Sequence, residues 1–175
     1  MIFSIVSPQG SGKTLTMTFI AFLAHKAGLT VYSNYRLNFP HEQIRSPQDL
    51  MKVRNGMLFL DEAGYWLDSR VATSRRNRFA SAVLMKSRKR GYDLFVSSQL
   101  RGLVDNRIRE SADFIIIPRH DKVKHICDVT VYNYAGQSII NNLPASKFSF
   151  NAEPVYKLYD SYAETYAELD AEMII

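Results

Sequence analysis

The chain of 175 residues is 46% hydrophobic and 22% charged, with a formal net charge of +5, and this composition excludes a disordered chain. The length suits one α/β domain and is short for two, so we predict a single domain over residues 1–175, with a core to about residue 120 and a small extension over about 121–175. The single cysteine, Cys127, excludes an internal disulfide, and no apolar run reaches the roughly 18 to 20 residues that a membrane-spanning helix needs.

The first elements predict a phosphate-binding loop. A short apolar strand at 2–6 precedes the run SPQGSGKT at 7–14. A helix is predicted to start near Lys13 and to continue through the long apolar stretch at 15–27. This order of strand, Gly-rich loop and helix turns backbone N–H groups toward phosphate oxygens. Lys13 is expected to reach the β- and γ-phosphates, and the hydroxyl of Thr14 to hold Mg²⁺. The first position of the loop is Ser, where Gly is usual. The predicted nucleotide-binding residues are Gln9, Gly10, Ser11, Gly12, Lys13 and Thr14.

Two carboxylates follow a predicted buried strand. After a strand at 30–33 and a helix at 46–54, the apolar run at 57–60 is typical of a strand buried on both faces of a parallel sheet. Asp61, at the end of this strand, is predicted to bind Mg²⁺, and Glu62 to polarise an attacking water. Because a transfer to water needs such a base, the pair indicates an NTP hydrolase rather than a small-molecule kinase.

The middle of the chain is strongly basic. Residues 70–90 include no acid and eight basic residues, namely Arg70, Arg75, Arg76, Arg78, Lys86, Arg88, Lys89 and Arg90. Such a cluster suits nucleic acid, although a solvated helix face with a basic loop would have the same composition. The candidates for DNA contact are Tyr65, Trp66, Arg70, Arg75 and Arg76. The ring of Trp66 is favoured as a core residue, because large aromatic rings dominate core burial.

The later elements complete an alternating pattern. Strands are predicted at 94–98 and 114–117, the second closed by a proline, and alternation of strands with helices implies a parallel sheet. Gln99 ends the first of them, at the edge where ligands of parallel sheets lie. From about residue 122 the pattern changes to short β-like segments at 123–134, 147–150 and 155–159, followed by an acidic helix near 161–173.

Taken together, these segments resemble the FtsK–HerA group of P-loop ATPases, and within it the Zot-like and viral genome-packaging members. The segments that carry the resemblance are SPQGSGKT at 7–14, VYSNYRL at 31–37, MLFLDEAG at 57–64, RFASAVLMKSRKRGYDLFVSSQ at 78–99, VDNRIRESADFIII at 104–117 and YKLYDS at 156–161. The resemblance implies an α/β, RecA-like fold with a central, mostly parallel sheet flanked by helices, and ATP with Mg²⁺ as cofactors. It also implies a homo-oligomeric ring, a hexamer or pentamer, with active sites at subunit interfaces.

The resemblance assigns roles to two further residues. An Arg shortly before the Gln-bearing strand acts across the interface in this family, and Arg88 in the stretch RKRG matches it. Arg90, Arg107 and Arg109 are alternatives. Gln99 would contact both the γ-phosphate and the attacking water. The predicted catalytic residues are therefore Lys13, Glu62, Gln99 and Arg88.

The function that the resemblance favours is an ATP-driven DNA translocase, most simply a viral genome-packaging ATPase that binds DNA without reading sequence and meets a capsid or portal-like protein. One alternative is a Zot-like ATPase of virion assembly or secretion, a family that usually carries a membrane span after the ATPase domain. Another is an assembly protein that binds ATP as a switch with little turnover. Since the first strand begins almost at Met1 and leaves no room for a signal peptide, we expect a soluble, cytoplasmic protein, in the host cytoplasm if the chain is viral.

Overall fold

A computed structural model describes residues 1–62, 87, 89–98, 111–135 and 138–160. Their helices and strands, in chain order, are β1 (Ile2–Val6), α1 (Lys13–Lys26), β2 (Val31–Ser33), β3 (Glu42–Gln43), α2 (Pro47–Leu50), β4 (Gly56–Leu60), β5 (Tyr92–Ser98), β6 (Phe114–Asp121), β7 (Ile126–Ala135), β8 (Ser138–Asn151) and α3 (Glu153–Tyr156).

All eight strands form one sheet in the order β3-β2-β4-β5-β1-β6-β7-β8. The pairs from β3 to β6 are parallel, whereas β6, β7 and β8 pair antiparallel. Strand β5 lies between β1 and β4, so the strand before the phosphate loop and the strand before the two acids are not direct neighbours. The predicted α/β class and mostly parallel sheet are confirmed, and the β-extension predicted after residue 120 continues the same sheet.

Both faces of the central strands are buried, as the continuous apolar runs predict. On one face Ile2, Leu58 and Leu94 belong to a single apolar cluster, whereas α1 packs on the other face. There the rings of Phe3 and Phe95 stack with centroids 4.4 Å apart, and Phe95 stacks on Phe59 at 4.8 Å. This packing across β1, β5 and β4 fixes the relative positions of the three strand ends that carry the site.

The strand predicted to close at Pro118 runs on to Asp121, so that boundary is wrong. Strand β1 pairs with β6 only as far as Ile116, and beyond that residue β7 is the partner of β6 among the strands described. A proline is tolerated there because no described strand pairs with the other side of β6 and needs its N–H. The helix predicted at 46–54 is the single turn α2, so its predicted end is wrong; Val53, beyond that turn, is fully buried.

The β-like segment predicted at 155–159 is also different in the structure. Val155 and Tyr156 lie in the helical turn α3, which has a proline in its first turn, a position where proline favours a helix start. The helix predicted near 161–173 and the DNA-contact candidates at 65–76 lie outside the described residues. Of the helices described, none combines the length and the apolar character that crossing a bilayer requires.

Candidate active site

The loop after β1 has the backbone of a phosphate cradle. Gly10 and Gly12 adopt φ of +76° and +93°, a region that residues with a side chain rarely occupy. A Cβ on Gly12 would lie 3.0 Å from the Cβ of His120, so space as well as conformation requires glycine there. The unusual serine at the start of the loop has a local role, because the Ser7 and Ser11 hydroxyls hydrogen-bond each other. Helix α1 begins at Lys13, so the free N–H groups of its first turn belong to this loop.

Lys13 and Thr14 connect the loop to its surroundings. The Lys13 side chain is buried, and its Nζ donates to the carbonyl oxygens of Ser7 and Pro8 at 3.1 and 3.2 Å. The next residue, Thr14, donates from Oγ1 to Oδ2 of Asp61 at 2.6 Å. The sequence predicted that the loop and the acidic strand end lie together, and the structure places them in direct contact.

Both the side chain and the backbone of Asp61 are hydrogen-bonded. It is 6% exposed, and its Oδ1 accepts hydrogen bonds from the Ser97 hydroxyl of β5 and from the Glu62 N–H. Its backbone is clamped by the side chain of Asn34, which accepts from the Asp61 N–H at 2.7 Å and donates to the Asp61 carbonyl at 2.8 Å. This burial and these partners are not those of an acid in an ordinary surface turn.

Replacing Asn34 by Ala should destabilise the protein by about 2–4 kcal/mol, because the N–H and the carbonyl of Asp61 would both lose their partner in a buried setting. Asn34 is fully buried. Asn38→Ala is the matched control, since it removes an exposed amide that donates to the Lys157 carbonyl, and it should cost about 1 kcal/mol or less. Urea unfolding of both variants measures the difference, and equal losses would contradict the clamp.

Glu62 is the second acid of the site. Its φ is +47°, a left-handed conformation that is uncommon for a residue with a side chain and often marks a functional position. Its N–H also approaches the Ser97 hydroxyl at 3.1 Å. The residue lines the same cavity as Lys13 and Thr14. A base that activates water for attack on a γ-phosphate would have to lie there.

This cavity has a volume of about 470 Å³, within the range of about 300–1,000 Å³ usual for sites of small ligands. It is lined by Gln9, Gly10, Gly12, Lys13, Thr14, Leu15, Glu62, His120, Lys122, Tyr156 and Tyr159. The Thr14 hydroxyl and the Asp61 carboxylate are hard oxygen donors. They fit Mg²⁺, which proteins bind through a few such groups together with phosphates and water.

Several lining or supporting residues were not singled out from the sequence, namely Asn34, Ser97, His120, Lys122, Tyr156 and Tyr159. The one available signal was positional, because Asn34 follows β2 directly at the carboxyl edge of the sheet. Burial, and then the negative charge of Asp61, raises the pKa of Tyr159 to about 12. Burial, and then the charge of Lys122, lowers the pKa of His120.

The remaining predicted site residues are not described. Gln99, Arg88, Arg107 and Arg109 lie outside the described residues, so their roles stay predictions. The alternative Arg90 is described, and its guanidinium donates to the carbonyl of Met51. Leu60 pairs with Val96 of β5. Ser98, the last residue of β5, follows two residues later and is buried. Gln99 therefore follows a strand that ends at the same edge as Asp61.

No protein-family model and no curated protein matches the sequence. Among solved structures, the N-terminal domain of zonular occludens toxin from Neisseria meningitidis matches with a TM-score of 0.57 and 18% identity, over 91% of this chain and 98% of that one. The genome packaging NTPase B204 from Sulfolobus turreted icosahedral virus 2, in complex with ATP-gammaS, matches with a TM-score of 0.57 and 13% identity, over 79% and 94%. The chain therefore has the RecA-like P-loop fold of these proteins.

This RecA-like fold agrees with the resemblance drawn from the motifs, since the matching structures include a zonular occludens toxin domain and a genome packaging NTPase. A third neighbour, the flagellar accessory protein FlaH from Methanocaldococcus jannaschii, matches with a TM-score of 0.50 and 11% identity over 77% of each chain. At such identities the likeness concerns the fold, and the activity has to be argued from the residues of the site.

Proposed function

We propose that the cavity binds ATP with Mg²⁺ and hydrolyses it. The observation that carries this proposal is the 2.6 Å hydrogen bond between Thr14 Oγ1 and Asp61 Oδ2, which joins the phosphate loop to the acidic strand end beside Glu62. The burial of Asp61 and the positive φ of Glu62 support it, because an ordinary turn needs neither.

Each residue has a defined task in this proposal. The Lys13 ammonium exchanges its two carbonyl partners for phosphate oxygens, and the N–H groups at Gly10 and Gly12 donate to the same anion. Thr14 and Asp61 hold Mg²⁺, which when bound neutralises charge on the phosphates. Glu62 orients the attacking water and accepts its proton.

The residues outside the described ranges complete the proposed site. Gln99 would contact the γ-phosphate and the attacking water beyond the end of β5. Arg88 of a neighbouring subunit would stabilise charge on the transferred phosphoryl group, a contribution worth about 10³–10⁵ in rate where it has been measured. A residue that acts in trans requires a second subunit, and from the family resemblance we propose a homo-oligomeric ring, a hexamer or pentamer.

We further propose that hydrolysis drives DNA translocation, as in a cytoplasmic genome-packaging ATPase that docks on a capsid or portal-like protein. The support is the basic cluster at 70–90, with eight basic residues and no acid, because phosphate contacts give affinity without sequence reading. One structural neighbour, B204, is named as a genome packaging NTPase.

A second candidate is a Zot-like ATPase of virion assembly or secretion. The observation that favours it is the length of the structural match. The toxin domain aligns with 91% of this chain, whereas B204 aligns with 79%. A third candidate, an ATP-binding assembly switch with little turnover, would share the same cavity.

One experiment separates the three. ATP hydrolysis is measured with and without double- or single-stranded DNA at about 50 and 200 mM salt, with heparin as a control polyanion. A motor predicts stimulation by DNA that heparin does not reproduce and that falls steeply with salt. Hydrolysis indifferent to DNA favours the Zot-like candidate, and nucleotide binding without turnover favours the switch. Native mass measurement of the same sample tests the ring.

A further inference from the structure

The cavity has two chemically different ends. The loop end carries the groups suited to phosphate and metal, and these are Lys13, Thr14 and Glu62. A second wall, beside the loop, comes from the last third of the described chain. It consists of His120 and Lys122 around the end of β6, with Tyr156 and Tyr159 in and after α3. The proposed hydrolysis uses none of these four side chains.

This wall is tied to the phosphate loop by its backbone. The N–H of His120 donates to the carbonyl of Ser11 at 3.1 Å, and the His120 Cβ lies directly against Gly12. The turn after β6 is joined to the start of α3, because the Ala152 N–H donates to the His125 carbonyl at 2.7 Å. The wall is therefore held at a fixed place beside the loop.

Two imidazoles fix the position of the Tyr156 ring. Its hydroxyl lies 2.9 Å from His120 Nε2 and 3.3 Å from His125 Nδ1. Both imidazole rings meet the tyrosine ring edge-on, with centroids 5.9 Å apart in each pair. Tyr156 nevertheless remains 37% exposed, and it lines the cavity.

The four side chains divide between the two ends. Lys122 Nζ would lie 3.8 Å from a Cβ on Gly10, which places this ammonium over the phosphate loop. Tyr159 is bridged by its backbone to Leu37, three residues after the Asn34 that holds Asp61, so it lies toward the metal end. His120 and Tyr156 remain. His120 lies against the loop at Gly12, and Tyr156 is the next side chain out, hydrogen-bonded to the far nitrogen of that imidazole. The two offer flat aromatic surfaces, which suit a planar aromatic ring.

We propose that Tyr156, supported by His120, is the surface on which the nucleobase of the bound nucleoside triphosphate stacks. This inference rests on the proposed nucleotide site. Since every base has a π-face, stacking contributes affinity without strong selection among bases. The wall therefore accepts ATP and GTP with similar affinity.

The test compares the binding of ATP with that of inorganic tripolyphosphate, each with Mg²⁺, by titration calorimetry. For the unaltered protein we expect ATP to bind about ten-fold more tightly than tripolyphosphate. In Tyr156→Ala this preference should vanish while the affinity for tripolyphosphate stays the same. Tyr156→Leu, which keeps apolar bulk at this position, should behave like Tyr156→Ala, and Tyr156→Phe should keep most of the preference.

Tyr132→Ala is the matched control, because it removes a tyrosine of β7 that does not line the cavity, and it should leave the preference intact. If the preference for ATP persisted in both Tyr156→Ala and Tyr156→Leu, the proposal that the nucleobase stacks on Tyr156 would be wrong. Equal binding of ATP and tripolyphosphate to the unaltered protein would also contradict it. Failure of the proposed nucleotide site gives a different result, in which neither ligand binds.

Discussion

Replacing Glu62 by Gln is expected to abolish ATP turnover while nucleotide binding persists. The amide keeps the size of the side chain but cannot accept a proton from water, and loss of a general base typically costs about 10²–10⁴ in rate. Binding should persist because the phosphate contacts come from the loop and from Lys13. Steady-state hydrolysis and a direct measurement of nucleotide affinity on the same preparation give both quantities.

Glu42→Gln is the matched control for this change. Glu42 is an exposed carboxylate of β3, at the far edge of the sheet, and its amide variant should hydrolyse ATP at the original rate. If Glu62→Gln were as active as this control, Glu62 would not be the base. If it failed to bind nucleotide, its role would be in binding rather than in activating water.

Replacing Lys13 by Met is expected to remove both nucleotide affinity and turnover. Methionine has a similar length and suits the buried position of Lys13, but it offers no donor to phosphate oxygens. Loss of one preorganised donor to a developing negative charge costs about 10²–10³ in rate, and here the affinity for the ground-state phosphates falls as well. The same hydrolysis and binding measurements apply.

The control lies on the same helix. Lys26 is at the other end of α1, where its ammonium lies over the Phe22 ring, so Lys26→Met should keep both affinity and turnover. A Lys13→Met protein that still bound ATP tightly would mean that the loop does not hold the phosphates through Lys13. The two variants separate the functions of the site, because only Glu62→Gln should bind without turning over.

The sequence predicted the parts of the site that depend on local order. Strand, loop and helix from 2 to 27 follow one another with few residues between them, and a buried strand before Asp61 was evident from its apolar run. The structure gives α1 from Lys13 and β4 from Gly56, within two residues of the predicted starts. Parallel pairing then brings the two strand ends to one edge, as the alternation implied.

The parts that were not predicted depend on contacts between distant segments. Asn34 clamps a backbone 27 residues away, and a single asparagine after a short strand gives no indication of that partner. The wall of His120 and Tyr156 forms only because β6 continues past Pro118 and the chain returns through α3. The end of β6 was misplaced because pairing with β7 overrides the local signal of the proline. The segment at 155–159 was misread because the helix-start signal of the proline in α3 was not used.

The strand between β1 and β4 has a geometric consequence for the chemistry. Neighbouring strands lie about 4.8 Å apart, so the chains that leave β1 and β4 start about 9.5 Å from each other. The backbone hydrogen bonds of β5 to β1 and to β4 set this distance, and it does not depend on the side chains between the strand ends. Substituting Lys13 or Glu62 therefore changes the chemistry at the site, but it leaves the spacing between the ends of β1 and β4 unchanged.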